Sequence, residues 1–191
     1  PDLNRTQRNY DLVHYLNTTA ENSTIVSRIL LYVSYDQTVF SSEGAATTLD
    51  VCLDANIIHR HLEQQKIPTD WNDPAGCVTL HTYEGKLYCC LDFPLEGSYC
   101  NGTLFFEINQ RVLYDELNCQ TEHDVFIFDE ENRALFDYPK DGLNASLTPQ
   151  QFQNMREQGS GTLPRRMKEQ TIVYYYTAPG GWLYVYPVPL Q

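Results

Sequence analysis

Positive charge is scarce in this 191-residue chain: 13 Lys and Arg stand against 25 Asp and Glu, a formal charge of -12. A surface of that sign repels phosphate backbones and anionic headgroups, so nucleic acid is excluded as an expected partner. Long apolar runs are absent too. No stretch of about 18 apolar residues could cross a bilayer as a helix, and no membrane insertion is expected within the chain. The opening PDLNRTQRNY is polar where a secretory leader would be basic and then apolar. The chain reads as mature and processed, or as an excised ectodomain.

Signatures of chemistry are missing as well. No D-x-[DN]-x-[DN]-G run offers a calcium loop, no serine or cysteine sits in a nucleophile elbow, and no cysteine stands in a C-x-x-C pair. His14, His81 and His123 stand alone. His59 and His61 in HRH could offer two imidazoles to a metal, but residues i and i+2 on a helix point apart and no further ligands suggest themselves. A solvated pair is expected, with no metal and no cofactor. The acidic groups DEEN at 129–132 and YDEL at 114–117 could be pictured as a glycosidase carboxylate pair, yet their place at expected hairpin ends suits solvated turns. The expectation is a protein that is not an enzyme.

What is present points outside the cytosol. The six cysteines, Cys52, Cys77, Cys89, Cys90, Cys100 and Cys119, are even in number and read as three disulfides. Beside them stand five Asn-x-Ser/Thr acceptors, at Asn4, Asn17, Asn22, Asn101 and Asn144. Together these predict a secreted or lumenal glycoprotein forming one disulfide-bonded domain over 1–191, a length that buries a real core.

The pattern along the chain is mostly that of antiparallel strands. A short amphipathic helix is expected in QRNYDLVHYL, then a strand in TIVSRILLYVSYD, an alternating strand in AATTLDVCLD, and a helix in ANIIHRHLEQQK. In CVTLHTYEGKLYCCLDF a two-residue turn at Glu84-Gly85 sets Leu80 opposite Cys89 and Thr79 opposite Cys90. That register puts Val78, Leu80, Leu87, Cys89 and Leu91 on one face and Thr79, His81, Tyr83, Lys86, Tyr88 and Cys90 on the other. Cys89 and Cys90 then have different partners, since neighbours on a strand cannot bridge without distortion. Further hairpins are expected with turns near Asn109-Gln110 and within Asp129 to Asn132. A late helix spans 148–158, with Thr148 as its cap, Pro149 in the first turn and Gly159 at its end.

The C-terminal TIVYYYTAPGGWLYVYP reads as a hairpin turning at TAPGGW, with Thr177 opposite Trp182. This pairing gives one face Tyr174, Tyr176, Leu183 and Val185, and the other Val173, Tyr175, Trp182, Tyr184 and Tyr186. Both faces are aromatic, so both call for cover. One reading is core packing with an exposed edge, which suits tyrosine. The other is a face that lines a cavity or a protein contact, where aromatic rings with polar tips are favoured.

The order of elements, from the N-terminal helix NYDLVHYLNTT through strands RILLYVSYD to RALFDYP, the late helix TPQQFQNMREQ and the returning strand TIVYYY, resembles a secreted lipocalin. The Gly-x-Trp usual in that family near its first strand is missing. The resemblance implies a mainly β fold, antiparallel hairpins in a barrel or sandwich with the two helices added. The expected function is a secreted binding protein for a small apolar or amphipathic ligand, held by Tyr174, Tyr176, Trp182, Tyr184 and Tyr186. The alternative is an extracellular or cell-surface module that uses the same hairpin against a protein partner.

Overall fold

The computed structural model describes residues 3–64, 78–94, 101–119, 124–136, 147–166, 170–178 and 181–189. The chain divides into two compact units, Pro1–Asn109 and Gln110–Gln191. Among the described residues the first holds helix α1 (Leu3–Glu21), strands β1 (Val26–Val33), β2 (Thr38–Ser41) and β3 (Ala46–Thr48), a 3-10 turn at Leu49–Val51, helix α2 (Ala55–Gln64), and strands β4 (Val78–Tyr83), β5 (Lys86–Pro94) and β6 (Asn101–Ile108). The strands form one antiparallel sheet in the order β3-β2-β1-β6-β5-β4.

Helices cover both faces of this sheet, and the sequence of β1 says why. Its Ile29 and Leu31 alternate with Leu30 and Tyr32, so an apolar side chain leaves the strand in both directions and each face needs cover. On one face Ile29, Leu31 and Phe40 pack with Leu16 and Ala20 of α1. On the other, Leu30, Tyr32, Val39, Tyr88, Cys90 and Phe105 pack with Leu49 and with Ile57 and Ile58 of α2. The Glu84-Gly85 turn is as expected: both residues have positive φ, 49° and 77°, the form that suits the twist of a tight hairpin. Leu80 pairs with Cys89 and Thr79 with Cys90.

The second unit contains α3 (Gln110–Cys119), β7 (Phe126–Phe128), α4 (Pro149–Gln158), β8 (Ser160–Arg166), β9 (Gln170–Thr177) and β10 (Leu183–Pro189). Its sheet runs β7-β10-β9-β8, antiparallel throughout. Helix α4 is the late helix expected, with Thr148 as its cap; the structure adds a capping box in which Thr148 and Gln151 satisfy each other's backbone amides. Phe152 and Met155 face inward from it, the former edge-on to Phe128 with ring centroids 4.9 Å apart.

Several expectations are corrected. With four α-helices among the described residues beside two open antiparallel sheets, the fold is mixed α/β: the antiparallel, β-rich reading holds only roughly, and the closed barrel does not form. The turn expected at Asn109-Gln110 is instead the start of α3, where Leu113 and Leu117 recur at i and i+4. Such a short segment satisfies strand and helix patterns alike. In AATTLDVCLD only Ala46–Thr48 is a strand, and Leu49 turns inward through the 3-10 turn.

The three-disulfide reading is also revised. Cys52, Cys89, Cys90 and Cys119 are all free, while Cys77 and Cys100 lie outside the described residues. The register does send Cys89 and Cys90 to opposite faces: Cys90 is buried in the core under α2, and Cys89 is half-buried on the other face. A sheet covered by helices on both faces buries enough apolar surface to be stable without cross-links. Among the described residues no helix is long and apolar enough to cross a membrane.

Candidate functional site

The face of the first sheet beneath α2 carries an unusual load of polar groups. Following the pairing across β4, β5, β6 and β1 places His81, Tyr88, Cys90, Asp92, Thr103, Phe105, Glu107, Arg28, Leu30 and Tyr32 on that one face. The apolar members form the core under α2, and the polar ones divide into a buried cluster and a charged network.

The cluster is centred on His61. On α2 this residue lies one turn after Ile57 and Ile58 and shares their inward face, whereas His59 is exposed. Its Nε2 stands 2.9 Å and 3.2 Å from the two carboxylate oxygens of Asp92, and its Nδ1 is 3.0 Å from Nε2 of His81. A carboxylate only accepts, so Nε2 of His61 carries the proton of that bond. Thr103 donates its hydroxyl to Asp92 Oδ1 at 2.7 Å. The rings of His81 and Phe105 stand edge-on to the His61 ring, at 5.2 Å and 5.3 Å. The Cys90 thiol completes the group: one donor atom each from His61, His81 and Cys90 lies within 4.8 Å of the others. None of His61, His81, Cys90, Asp92 and Thr103 is more than 8% exposed. Burial, then the neighbouring His61 and Arg60, pushes the His81 pKa down to about 4, against the pull of Asp92. Burial first, with Cys89 and Asp92 adding to it, pushes the Cys90 thiol well up.

The charged network lies at the start of α2. Arg28 of β1 donates to both carboxylate oxygens of Asp54, at 2.9 Å and 2.7 Å, and to Glu107 at 3.1 Å. Glu107 also receives Lys86 at 3.1 Å and lies 3.4 Å from the Tyr88 hydroxyl. Burial alone would lower the Arg28 pKa. The bidentate bond and charge of Asp54, with the charge of Glu107, outweigh it and raise the pKa on balance. Burial, reinforced by Glu107, lifts the Tyr88 phenol to about 12.

Asp54, Lys86 and Tyr88 of this network also line a cleft of about 190 Å³, together with Leu53, Asn56, Ile57, Tyr83 and Glu84. A roomier cleft of about 420 Å³ runs beside α1, bounded by Tyr10, His14, Asn17 and the turn through Glu43 and Gly44. Asn17, which lines this cleft, belongs to a glycan acceptor. Asn22, in the turn after α1, is exposed. The side chains of Asn4 and Asn101, and all of Asn144, lie outside the described residues.

The aromatic hairpin forms, but one residue out of the expected register. Thr177 pairs with Leu183 rather than Trp182, so Tyr176 faces Tyr184 and Tyr174 faces Tyr186. A slip of one exchanges the faces of a strand. Tyr174, Tyr176, Tyr184 and Tyr186 therefore share one face, and Val173, Tyr175, Leu183 and Val185 the other, which is buried. Tyr174 and Tyr176 are 46% and 53% exposed, the latter 6.5 Å from the ring of Tyr184. Burial, and then Tyr176, raises the Tyr184 pKa. Trp182 is buried just ahead of β10, and neither cleft described above is lined by the hairpin.

The sequence reading thus left His61 in solvent, His81 alone and Cys90 in a disulfide, where the fold gathers them. The signals that could have united them are the Ile57, Ile58, His61 spacing on α2 and the Glu84-Gly85 register, which already set His81 and Cys90 on one face.

No protein-family model matches the chain, and no curated protein sequence matches it significantly. Solved structures do match in fold. The extracellular domain of rpHK1S-Z16, a protein named as a histidine kinase, superposes with a TM-score of 0.61 at 10% identity, over 94% of this chain and 77% of that one. The ligand-binding domain of the Campylobacter jejuni chemoreceptor Tlp3, in complex with 4-methylisoleucine, gives 0.59 at 12% identity over 95% and 71%. The Tlp3 sensory domain with isoleucine bound gives 0.58 at 13% identity over 94% and 72%. These likenesses replace the lipocalin resemblance. The order of helix and strands that suggested a lipocalin also fits two open sheets, and the missing Gly-x-Trp already pointed away from the barrel.

Proposed function

We propose that the chain is an extracellular sensory domain that binds a small zwitterionic ligand of amino-acid size in the cleft at the start of α2. The observation that carries this reading is the cleft's lining. Lys86 offers a cation for a carboxylate, Asp54 and Glu84 offer anions for an ammonium group, and Leu53, Ile57 and Tyr83 supply an apolar wall. A cleft of about 190 Å³ is smaller than the ~300–1,000 Å³ of typical drug-sized sites. Such a lining favours a short, charged ligand over the lipid-like one expected from the aromatic hairpin. The fold supports the reading, since structures that share it include chemoreceptor domains solved with amino acids bound. The five glycan acceptors and the absence of a long apolar helix among the described residues fit an extracellular position.

Titration calorimetry with a panel of L-amino acids tests this directly. Saturable binding of at least one of them is expected, weakened by Lys86→Ala and by Glu84→Gln. No saturable heat with any amino acid, or binding indifferent to both substitutions, sinks the reading.

A second reading rests on the half-exposed Tyr174 and Tyr176 on a face of four tyrosines: the hairpin is a protein contact. Light scattering after size exclusion removes it if the chain is a monomer at all concentrations and shows no affinity for other proteins of its compartment.

A further inference from the structure

We propose that His61, His81 and Cys90 form a zinc site that pins α2 to β4 and β5, with Asp92 orienting His61 from behind. The inference stands apart from the cleft and uses none of its lining residues.

The geometry is that of a metal centre. His61 turns Nδ1 toward His81 Nε2 and Nε2 toward Asp92. A carboxylate that holds one imidazole nitrogen while the other faces a metal is the usual outer partner of a metal-bound histidine. Thr103 in turn fixes Asp92 with its hydroxyl. Bonds of ~2.0–2.1 Å to nitrogen at a tetrahedral angle set two ligand nitrogens about 3.3 Å apart. The two imidazole nitrogens are 3.0 Å apart, so an opening of a few tenths of an ångström suffices. The Cys90 sulfur lies within 4.8 Å of one ring nitrogen of each histidine, and it closes to about 3.6 Å from each when a zinc ion is bound.

A hydrogen-bond network alone explains less. It accounts for His61, Asp92 and Thr103, and it gives the two imidazoles one shared proton. It leaves the Cys90 thiol, packed in the core under α2, as a bystander beside two buried imidazoles. A metal accounts for all three. On binding, the Cys90 thiol gives its proton to solvent, and the His81 proton moves from Nε2 to Nδ1. Both histidines stay neutral and one proton is released.

Two imidazoles and a thiolate suit a late first-row ion, and magnesium or calcium, which take oxygen ligands, are disfavoured. Copper electron-transfer sites with this donor set add a long axial thioether in most cases. Zinc takes two imidazoles and a thiolate without any such ligand, and it is the ion proposed.

The test loads the full chain, purified with its thiols reduced and stripped of metal, with Zn2+ or with Co2+ as a spectroscopic stand-in. Expected are one Zn2+ per chain that survives dialysis, and, with a water molecule as the fourth ligand, a thiolate-to-cobalt charge-transfer band with the visible bands of tetrahedral Co2+. Cys90→Ser and His81→Ala should abolish stoichiometric uptake, and His59→Ala should leave it intact. Asp92→Asn should weaken Zn2+ binding by about 10- to 100-fold. Uptake unchanged by Cys90→Ser, or dependent on His59, overturns the proposal. So does a disulfide at Cys90 in peptide maps of the secreted protein. Should the substituted chains fail to fold, the unsubstituted chain decides: a Co2+ complex without a thiolate band overturns the site.

Discussion

Arg28 shows at the scale of one residue how the charged network depends on a single cation. Its side chain is only 13% exposed and holds the carboxylates of Asp54 and Glu107 together. Removing it leaves two half-buried anions with less compensation, and breaking a fully buried pair costs about 3–5 kcal/mol. Asp54 and Glu107 keep some contact with water, which lowers the expected loss for Arg28→Ala to about 2–3 kcal/mol in urea denaturation. Arg28→Lys should recover only part of it, because an ammonium cannot grip Asp54 with two parallel bonds. A loss under about 0.5 kcal/mol would show that the network behaves as a solvated surface bridge. His61 carries the complementary lesson. Its sequence neighbour His59 is exposed, and nothing in the tripeptide HRH separates the two. The distinction comes from the apolar residues one turn earlier, Ile57 and Ile58.

Elements were legible where local chemistry dictated them. The Glu84-Gly85 turn needed two positive-φ residues, and Thr148-Pro149 followed by Gln151 and Gly159 specifies both ends of α4. They failed where pairing across the sheet decided. The hairpin closes with Ala178 donating to the Trp182 carbonyl, and the register between β9 and β10 that follows differs by one residue from the expected one, which carries Tyr184 and Tyr186 to the other face. Helix α3 was mistaken for a strand because Val112, Leu113 and Tyr114 satisfy either period. The metal-like cluster was hidden for the same reason, since its residues come from α2, β4 and β5. The explicit cap allows a clean test. Thr148→Ala removes the hydroxyl that accepts the Gln151 amide and should cost about 1 kcal/mol. A chain of this size should then melt about 2–4 °C lower. Thr148→Asp should restore most of the loss, since it caps as well. An unchanged melting temperature for Thr148→Ala would mean that Phe152 and Met155 alone hold the helix in place.

At the scale of the whole molecule the two functional readings fall in different units. The cleft and the buried cluster belong to Pro1–Asn109, and the tyrosine face to Gln110–Gln191. A ligand that binds only the folded state adds stability by mass action, about 2.7 kcal/mol at a hundredfold excess over its dissociation constant. That stabilisation is felt first by the segments that contact the ligand, because local opening there must release it. Hydrogen exchange followed by mass spectrometry, with and without a bound amino acid, can therefore place the site. Slower exchange is expected in peptides covering the start of α2, β5 and the Glu84-Gly85 turn, with β9 and β10 unchanged. Protection confined to β9 and β10 would instead return the ligand to Tyr174, Tyr176, Tyr184 and Tyr186, where the sequence first placed it. The cleft under α2 would then have to be a structural consequence of the Arg28 network rather than its purpose.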